Sequence, residues 1–589
     1  MTEKNPINID RLIDLGSFEV TGAEKQQFEG ELADFLEYAR VINGAPQHLP
    51  PASHAVDKEQ LLRADEASPW KERESLIGNA PALQGTSYLV PPLAGISGTA
   101  REQEPRTGKP GSGDYEVVIG LEVHAQLNTS TKLFCSCPTS FGSDPNSNTC
   151  PVCSGQPGAL PVLNREAVSM AIMAGLAMGC AINGRSLFAR KNYFYPDLPK
   201  GYQISQFEEP ICSGGVVEIE LDKATRKIRL NRIHVEEDAG KLVHVGAPGI
   251  WGSKASAVDY NRSSVPLIEI VSEPDISSPA EAREFMVMLR AILVTLGICN
   301  GNMEEGNLRC DANVSLRERG DTELGVKVEI KNMNSLKAIE RALAYEITRL
   351  EQMKRAGTPI EQETRLWDDS SQKTALMRSK EESHDYRYFP DPDLLPLTVT
   401  DEWIESVRAS LPPMPLERKN RYEREFSFTE SEARLFMVNP AYAAFFEKAL
   451  LSYGNARNLA NWLFSELLSH EDDFDRLHVT PEDFAKFLKK IDSGEISGRQ
   501  GKDILRRAFA DRKGIIEIIE SEGHAQITDR ASIEKAVDNV IASHPDQVAE
   551  YRSGKTRVLG YLVGAVMKAT GGKANPALVN EVLTEKLKG

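Results

Sequence analysis

The first candidate for chemistry is the run VVIGLEVHAQL at residues 117–127, where charged and ring side chains interrupt an apolar stretch. As a β-strand it alternates its side chains between two faces, so Glu122, His124 and Gln126 share one face opposite an apolar one. Burying a carboxylate with an imidazole is costly unless a metal ion, a proton or a hydrogen bond compensates. A half-exposed sheet face is the alternative, and this stretch alone leaves both interpretations open.

Two further stretches place acidic groups in similar surroundings. RIHVEEDAGK ends a β-rich run with four polar groups, His234, Glu236, Glu237 and Asp238. VPLIEIVSEPD places Glu269 between two isoleucines, where a lone carboxylate needs a facing cation. Carboxylates and a histidine from separate strands can hold Mg²⁺ or Mn²⁺ for phosphoryl transfer. Each stretch alone favours ion pairs with lysine and arginine, whereas the three together favour a metal site.

No familiar nucleotide-binding loop accompanies these acidic stretches. The Walker pattern G-x-x-x-x-G-K-[ST] is absent from the sequence, and so are the H-R-D and D-F-G motifs of protein kinases. Any ATP chemistry must therefore use a different scaffold.

Four of the eight cysteines crowd into CSCPTSFGSDPNSNTCPVC, as Cys135, Cys137, Cys150 and Cys153. Two close pairs on loops suit tetrahedral zinc, and a filled four-thiolate site is structural rather than catalytic. The first pair is C-x-C, tighter than the usual C-x-x-C, and redox chemistry or four unrelated thiols is the alternative. The other cysteines are scattered, which indicates a reducing cytoplasm and no disulfide framework.

Composition and charge restrict the class of protein. The 589 residues suffice for several domains, and 41% apolar with 26% charged residues is typical of a globular protein. No apolar run reaches the roughly 20 residues of a membrane helix, and the start MTEKNPINID lacks the apolar core of a signal peptide. These features predict a cytoplasmic protein. A net charge of −17 disfavours indiscriminate nucleic-acid binding but allows a local basic patch.

Hydrophobic patterning divides the chain into residues 1–96, 97–114, 115–408, 409–491 and 492–589. The first part combines an amphipathic helix with a proline-broken segment that is either disordered or laid along a partner, and its Leu, Tyr and Val content favours the partner. The second part is a flexible linker. The third alternates short β-rich runs with helices at 165–180 and 279–297, which predicts an α+β domain on a largely antiparallel sheet. The last two parts are almost wholly helical, with a break at 492–501 between them.

A basic segment stands out near the end of this acidic chain. Residues 551–580 contain no acidic residue and five cationic ones, namely Arg552, Lys555, Arg557, Lys568 and Lys573. Apolar residues at helical spacing predict one packed face, and they include Leu559, Leu562, Val563 and Val566. Lysines and arginines here can neutralise phosphates without reading base sequence. An ordinary solvated helix is the alternative.

Long motifs indicate a family. Resemblance to the B subunit of the tRNA-dependent amidotransferase runs through residues 115–589, in VIGLEVHAQL, RKNYFYPDLPKGYQISQ, HVEEDAGK, PLIEIVSEPD, MEEGNLRCDANVSLR, EIKNMNSL and DYRYFPDPDLLPL. That enzyme converts Glu-tRNA(Gln) or Asp-tRNA(Asn) into the amidated form. Residues 1–96 resemble its C subunit, in FEVTGAEKQQFEGELADFLEYARVIN, LLRADE and YLVPP. The chain therefore resembles a fusion of the C subunit to the front of the B subunit.

The resemblance implies a mechanism and a set of ligands. ATP activates the side-chain carboxylate of the misacylated residue as an acyl phosphate, and ammonia then displaces phosphate. The family's Mg²⁺ ligands fall on His124, Glu237 and Glu269, with Glu122 close by as a further catalytic residue. Glu236 is the position that competes with Glu237. Histidine is an unusual Mg²⁺ ligand, which leaves Mn²⁺ open.

The resemblance also implies the fold and the partners. Residues 115–408 would form a glutamine-synthetase-like cradle with structural zinc at the four cysteines, followed by a helical domain and a helical tRNA-binding tail. Ammonia would come from a separate amidase-type glutaminase, the A subunit of the same enzyme, because the chain has no glycine-serine-rich stretch with a Ser-Ser-Lys nucleophile. Misacylated tRNA is the expected macromolecular substrate, as Glu-tRNA(Gln), Asp-tRNA(Asn) or both. Neither DNA nor a membrane is expected as a partner.

Two aromatic-rich stretches, KNYFYPDLPKGYQ and HDYRYFPDPD, could stack on the nucleotide or on the terminal adenosine of tRNA. They make Lys191, Tyr193, Tyr202 and Arg387 candidates for substrate binding, with packed core aromatics as the alternative. Two other functions compete with amidation. A non-catalytic zinc-containing RNA-binding scaffold would turn over no ATP. A stand-alone ligase that uses free ammonia on a small acid would need no RNA-binding tail.

Overall fold

The computed structural model describes residues 25, 60–70, 83–84, 87–90, 115–245, 255–379, 386–468, 479–522, 529–571 and 574–588. The chain divides into two compact units, Met1–Lys58 and Glu59–Gly589, and the elements below belong to the second. Apart from Lys25, the predicted N-terminal helix lies outside the described residues, as does the predicted linker at 97–114.

The strands are, in chain order, β1 (Leu62–Arg63), β2 (Leu83–Gln84), β3 (Ser87–Val90), β4 (Tyr115–Gln126), β5 (Leu163–Asn164), β6 (Ala181–Ile182), β7 (Arg185–Ser186), β8 (Ala189–Asn192), β9 (Tyr202–Ser205), β10 (Cys212–Ser213), β11 (Val216–Leu221), β12 (Ala224–Glu237), β13 (Lys241–Val245), β14 (Ala255–Asp259), β15 (Pro266–Ser272), β16 (Leu308–Glu318), β17 (Val328–Met333), β18 (Glu363–Asp368), β19 (Lys373–Ser379), β20 (Phe389–Pro390) and β21 (Leu397–Thr398).

The helices are α1 (Arg165–Ala177), α2 (Pro279–Thr295), α3 (Leu336–Ala356), α4 (Asp401–Arg408), α5 (Pro415–Phe426), α6 (Glu430–Val438), α7 (Pro440–Tyr453), α8 (Ala456–Trp462), α9 (Pro481–Asp492), α10 (Gly498–Asp511), α11 (Ile515–Glu522), α12 (Arg530–Ser543), α13 (Pro545–Arg552), α14 (Val558–Ala569) and α15 (Pro576–Lys588). A π-helical turn, Leu463–Leu467, follows α8 directly. None of the helices in the described ranges is both long and apolar enough to cross a bilayer.

A ten-stranded sheet organises the first half of the second unit. Its order is β19-β18-β17-β16-β4-β15-β12-β10-β6, and β11 pairs with another part of β12. Each pairing is antiparallel except that of β17 with β18. The structure therefore combines α-helices with a largely antiparallel sheet, as the short β-rich runs predict.

The two faces of this sheet differ in polarity, as β4 shows. Leu121, Val123 and Ala125 are almost fully buried, because α1, α2 and α3 cover that face. Glu122 and His124 point the other way and are only partly buried. The alternation predicted from VVIGLEVHAQL is therefore present, and it leaves the polar face free for chemistry.

Glycines end both predicted helices of this domain slightly early. Helix α1 ends at Ala177 rather than at 180, and α2 ends at Thr295 rather than at 297. Gly179 and Gly297 follow these ends with φ angles of 66° and 71°. Glycine adopts this left-handed conformation at little cost, so it terminates a helix even where the apolar pattern continues.

Two hydrophobic cores hold the C-terminal helices together. The first joins residues from Tyr422 to Ile519, including Ile504 of α10, and the second joins residues from Ile533 to Leu587. The predicted domain boundary at 491/492 does not separate these cores. The break in the sequence pattern is a loop between α9 and α10, both of which pack into the first core. The change from one core to the next falls between Ile519 and Ile533.

Candidate functional site

A row of ionisable side chains crosses the polar face of the ten-stranded sheet. His124 of β4 lies opposite Arg309 of β16 on one side and opposite Glu269 of β15 on the other. Glu269 in turn lies opposite His234 of β12. Side chains directly opposite each other on neighbouring strands are roughly 5 Å apart at Cβ, so the members of this row are in reach of one another.

Glu236 joins the row because it follows His234 by two residues and so points to the same face of β12. His124 Nε2 lies 3.4 Å from the Glu236 carboxylate and 3.5 Å from that of Glu269. His234 Nε2 lies 3.7 Å and 3.1 Å from the same two carboxylates. The ligand atoms of His124, Glu236 and Glu269 all lie within 4.8 Å of one another, a spacing that suits ligands of a single metal ion.

Glu237, the ligand that the family resemblance implied, points away from this cluster. Its Oε1 accepts hydrogen bonds from the Lys200 ammonium and, at 2.8 Å, from the Ile204 backbone N–H. Successive residues of a strand face opposite sides, so two adjacent glutamates cannot both reach the cluster. The structure thus groups Glu236, and not the expected Glu237, with His124 and Glu269.

The charges within the cluster compensate for its burial. Burial opposes ionisation of Glu269, but His234 and His124 outweigh it and hold the pKa of this carboxyl well below its usual range. Burial also opposes protonation of His234, but Glu269 and Glu236 raise its pKa to about 9. Two buried carboxylates thus attract positive charge, which protonated histidines can supply and which a metal ion would supply in their place once His124 is neutral. A divalent cation held by His124, Glu236 and Glu269 fits these charges and this donor set.

Glu122 lies next to the cluster, two residues before His124, and lines a cavity of about 1110 Å³. Asn313 on the neighbouring strand donates a hydrogen bond to its Oε1 at 3.0 Å, and Lys327 lies on the cavity wall. Burial, reinforced by the Glu269 carboxylate, raises the pKa of Glu122. The cavity provides space for a substrate immediately beside the candidate metal ligands.

Lys191 approaches the cluster from the small sheet formed by β20, β8 and β9. Burial disfavours its charge, but Glu236 and other nearby groups outweigh burial and raise the pKa of Lys191. Its Nζ lies 4.8 Å from the centre of the Tyr386 ring, and Tyr193 packs edge-on against that ring at 5.9 Å. Ser205 of β9 donates to Glu236 at 3.2 Å. Two of the predicted substrate residues, Lys191 and Tyr193, are therefore at the site.

The other two predicted substrate residues face elsewhere. Tyr202 is three residues before Ser205 on β9 and so lies on the opposite face of the small sheet. The Arg190 guanidinium stacks over its ring, 4.3 Å from the ring centre. Arg387 is exposed to solvent, and its backbone carbonyl accepts a hydrogen bond from Asn192 Nδ2 at 2.8 Å.

The four crowded cysteines form a second cluster. All four are buried free thiols, and their sulfurs lie within 4.8 Å of one another. The backbone N–H of Cys150 points at Cys153 Sγ, at 3.2 Å. Fully buried Lys132 lies within hydrogen-bonding reach of the same sulfur. A buried ammonium needs anionic neighbours, and the thiolates of a tetrahedral zinc site would supply them.

The basic tail segment belongs to α13, α14 and the loop between them. Arg552 ends α13, Arg557 precedes the first residue of α14, and Lys568 lies in the last turn of α14. Lys555 forms an exposed ion pair with Glu550 at 3.0 Å, whereas Lys573 lies outside the described residues. The predicted packed face is confirmed, since Leu562 and Val566 are fully buried and Leu559 and Val563 pack against them.

Arg309 is the member of the row that the sequence analysis did not name, and His234 was named in its acidic stretch but given no role. The signal for His234 was its spacing, because His234 and Glu236 stand two apart on a strand, as do Glu122 and His124. Arg309 begins the alternating run RCDANVSLR, in which every second residue faces the polar side of the sheet.

Comparison with family models matches three parts of the chain. The GatB/GatE catalytic domain matches residues 117–405, and the GatB domain matches residues 444–587. The Glu-tRNAGln amidotransferase C subunit matches residues 20–90. The first match contains the ten-stranded sheet with both clusters, the second contains the C-terminal helices from α8 onward, and the third contains β1, β2 and β3.

Several relatives are named as the B subunit of aspartyl/glutamyl-tRNA(Asn/Gln) amidotransferase. The protein from Carboxydothermus hydrogenoformans is 49% identical over 478 residues, which are 80% of this chain and 99% of that protein. Those from Persephonella marina and Geobacter sulfurreducens are 48% and 49% identical over 480 residues, which are 81% of this chain and 100% of each relative. The C-subunit match at residues 20–90 is thus additional to a nearly full-length B subunit.

Proposed function

The chain belongs to the family of amidotransferase B subunits and carries a C-subunit segment at its front, and from this premise we propose that it amidates misacylated tRNA. Its substrates are ATP, ammonia and the glutamate of Glu-tRNA(Gln), the aspartate of Asp-tRNA(Asn), or both. A carboxylate does not exchange oxygen for nitrogen directly, because oxide is a poor leaving group. Phosphorylation of the carboxylate supplies a good one at the expense of ATP.

The observation that carries this proposal is the cluster of His124, Glu236 and Glu269 beside a cavity of about 1110 Å³. These residues would hold Mg²⁺ or Mn²⁺. Bound there, the ion would neutralise charge on the phosphates of ATP. His234 supports the arrangement, since its Nε2 contacts both carboxylates and orients them.

The reaction proceeds in two balanced steps. An oxygen of the substrate carboxylate attacks the γ-phosphorus of ATP, the bond to the bridging oxygen breaks, and ADP leaves. The nitrogen of ammonia then attacks the carbonyl carbon of the acyl phosphate, the C–O bond breaks, phosphate leaves, and the nitrogen loses a proton. Glu122 lines the cavity with a raised pKa and is suited to accept that proton.

The side chains that cover the cluster would protect the intermediate. Lys191, held beside the cluster and under the Tyr386 ring, is suited to orient a phosphate or the substrate carboxylate. The rings of Tyr193, Tyr386 and Tyr388 pack edge-to-face beside it. Such a cover reduces access of water, which would otherwise hydrolyse the acyl phosphate.

Other parts of the chain have supporting roles in this proposal. Ammonia comes from an amidase-type glutaminase partner. The ten-stranded sheet is the counterpart of the glutamine-synthetase-like cradle of the family, and the four cysteines hold structural zinc. Phosphates of the tRNA contact the basic tail segment through Arg552, Lys555, Arg557, Lys568 and Lys573.

The test uses the chain assembled with an amidase-type partner, with ATP, misacylated tRNA and ammonium chloride as nitrogen donor. We expect His124→Ala and Glu269→Gln each to lower amide formation at least about 100-fold, with glutamine hydrolysis by the partner retained. Glu218→Gln, a change at a half-buried glutamate that pairs with the exposed Lys227 on the same sheet, is the matched control. Parental amidation in both cluster variants, with the native fold confirmed, would contradict the metal assignment. ATP hydrolysis that misacylated tRNA does not stimulate would favour a non-catalytic scaffold.

A further inference from the structure

Residues 60–70 of the C-subunit segment contact the base of the loop between β4 and β5, residues 127–162, which carries the four cysteines and is called the four-cysteine insertion below. Within them, β1 pairs in parallel with β5. Arg63 Nε donates to the Val162 carbonyl at 3.0 Å. The other end of its guanidinium donates to Thr131 Oγ1 at 2.7 Å and to the Lys132 carbonyl. These acceptors lie near the two ends of the insertion, so one arginine links its N-terminal end to its C-terminal end.

Asp65 also fixes this segment in place, and the Thr131 hydroxyl is among its hydrogen-bond donors. Its carboxylate accepts hydrogen bonds from the backbone N–H groups of Ser130 at 2.6 Å and Thr131 at 2.7 Å, and from Asn164 Nδ2 at 3.0 Å. Burial raises the pKa of Asp65, but these hydrogen bonds outweigh burial and lower it. Asn164 also caps α1, so one carboxylate ties the segment to the insertion and to the first helix of the sheet domain.

The segment then passes over the cysteines themselves. The backbone N–H of Ser68 donates to the Ser136 carbonyl at 2.9 Å, between the first two cysteines. Trp70 packs directly against the four-cysteine cluster. A large ring at this position removes water from the thiols, and the environment around a metal site controls how easily its ligands are reached.

A second contact from the same segment supports the insertion indirectly. Strand β3 pairs with β14, and the end of β14 holds the insertion by hydrogen bonds. Asp259 Oδ1 accepts from the Asn146 N–H at 2.9 Å. Asn261 Oδ1 accepts from the Asn148 N–H at 2.8 Å. The insertion thus contacts residues 60–70 and also the end of β14, the strand with which β3 pairs.

Two cations near the cysteines come from different parts of the chain. Zinc bound by four thiolates carries two net negative charges. Lys132 of the sheet domain is fully buried, and its ammonium donates to the Tyr260 carbonyl at 3.0 Å. Arg63 of the C-subunit segment is close enough to Cys135 for a thiolate there to act on its charge. The C-subunit segment therefore contributes one of these two cations, and the sheet domain contributes the other.

We propose that zinc binding and docking of the C-subunit segment are coupled. Residues 60–70 dock against the four-cysteine insertion more stably when the four cysteines bind zinc. The inference rests on the zinc occupancy assigned under the proposed function. Because binding free energies are linked reciprocally, a segment that stabilises the zinc-bound form is itself held more firmly when zinc is bound.

The first test measures zinc release from the full chain to a chromogenic chelator, compared between Asp65→Asn and Glu66→Gln. The first change replaces an acceptor of several hydrogen bonds, and the second alters an exposed neighbour. We expect Asp65→Asn to release zinc at least about 10-fold faster, as loss of an outer contact commonly weakens metal binding by that factor. Glu66→Gln should release zinc at the parental rate. Equal rates in all three chains would overturn the coupling, and a parental chain without zinc would overturn the zinc assignment beneath it.

The second test needs no variant and measures the reciprocal effect. Hydrogen exchange of the parental chain is followed by mass spectrometry before and after zinc is removed by a chelator. We expect amides of residues 60–70 to exchange at least about 10-fold faster without zinc. Peptides from α9, which belongs to the separate helical core, should keep their rates and serve as the internal control. Unchanged exchange at residues 60–70 after complete zinc removal would overturn the proposal.

Discussion

Glu236→Gln removes one negative charge from the candidate metal cluster while nearly preserving the shape of the side chain. The ligand atoms there lie within 4.8 Å of one another. A divalent ion and the charge centre of a ligating carboxylate about 3 Å away attract by about 11 kcal/mol at an effective dielectric constant of about 20. If desolvation offsets about four fifths of that energy, about 2 kcal/mol remains, which corresponds to roughly a 30-fold loss of metal affinity.

The assay is direct titration with Mn²⁺, with the free ion detected by electron paramagnetic resonance. It needs neither tRNA nor the glutaminase partner, so it separates metal binding from catalysis. Amide formation with ammonium chloride, measured in parallel on the assembled enzyme, should fall at least about 100-fold.

Glu237→Gln is the matched control, because it makes the same chemical change one residue further along β12. Its metal affinity should equal that of the parent. Its stability should fall instead, since the Lys200 ammonium, which is 12% exposed, loses its counter-charge. Breaking a buried pair costs about 3 kcal/mol or more, which a lower onset temperature of unfolding would reveal. The reverse result, with Mn²⁺ binding lost in Glu237→Gln and kept in Glu236→Gln, would refute the assignment of faces.

Cys150→Ser should prevent binding of one zinc ion per chain and lower thermal stability, without removing a catalytic group. Elemental analysis and thermal unfolding measure these effects. A variant that keeps its zinc and the stability of the parent would contradict the prediction. Truncation at residue 525, between the two helical cores, should raise KM for tRNA strongly and spare glutamine hydrolysis, and an unchanged KM would refute the tail's role. Truncation at 490 should instead damage the first core, because it removes buried Ile504; circular dichroism distinguishes the two. Charge reversal at Lys555 and Arg557 should reduce the salt dependence of tRNA binding by about two phosphate contacts, and an identical salt slope would exclude those contacts.

Much of the candidate site was predictable from the sequence because strands carry a local signal. The two-residue alternation in VVIGLEVHAQL specifies that Glu122 and His124 share a face, whatever the neighbouring strands are. The crowded cysteines also carry a local signal, because two close pairs of thiols on loops can meet at one tetrahedral site. In both cases residues close in sequence determine the geometry.

Other features depend on distant residues and were not predictable in the same way. Two adjacent glutamates present the same local chemistry, and the choice between Glu236 and Glu237 follows from the phase of β12, whose pairing with β15 shifts register between Leu230 and Arg232. The change of core after Ile519 was missed for a related reason. A break in a helical pattern marks a loop, but only tertiary packing decides whether the helices on either side share a core.

The pairing of β1 with β5 and of β3 with β14 has a consequence for how the protein responds to dilution. When two separate polypeptides associate, the fraction of them in the complex falls as both are diluted. Unequal synthesis leaves the more abundant one without a partner. Here residues 91–114 join the docking strands covalently to β4, so the two cannot separate by more than the length of that connection. Such a tether gives a local concentration of about 1 mM. A segment with only micromolar intrinsic affinity would then be docked about 99.9% of the time at any protein concentration.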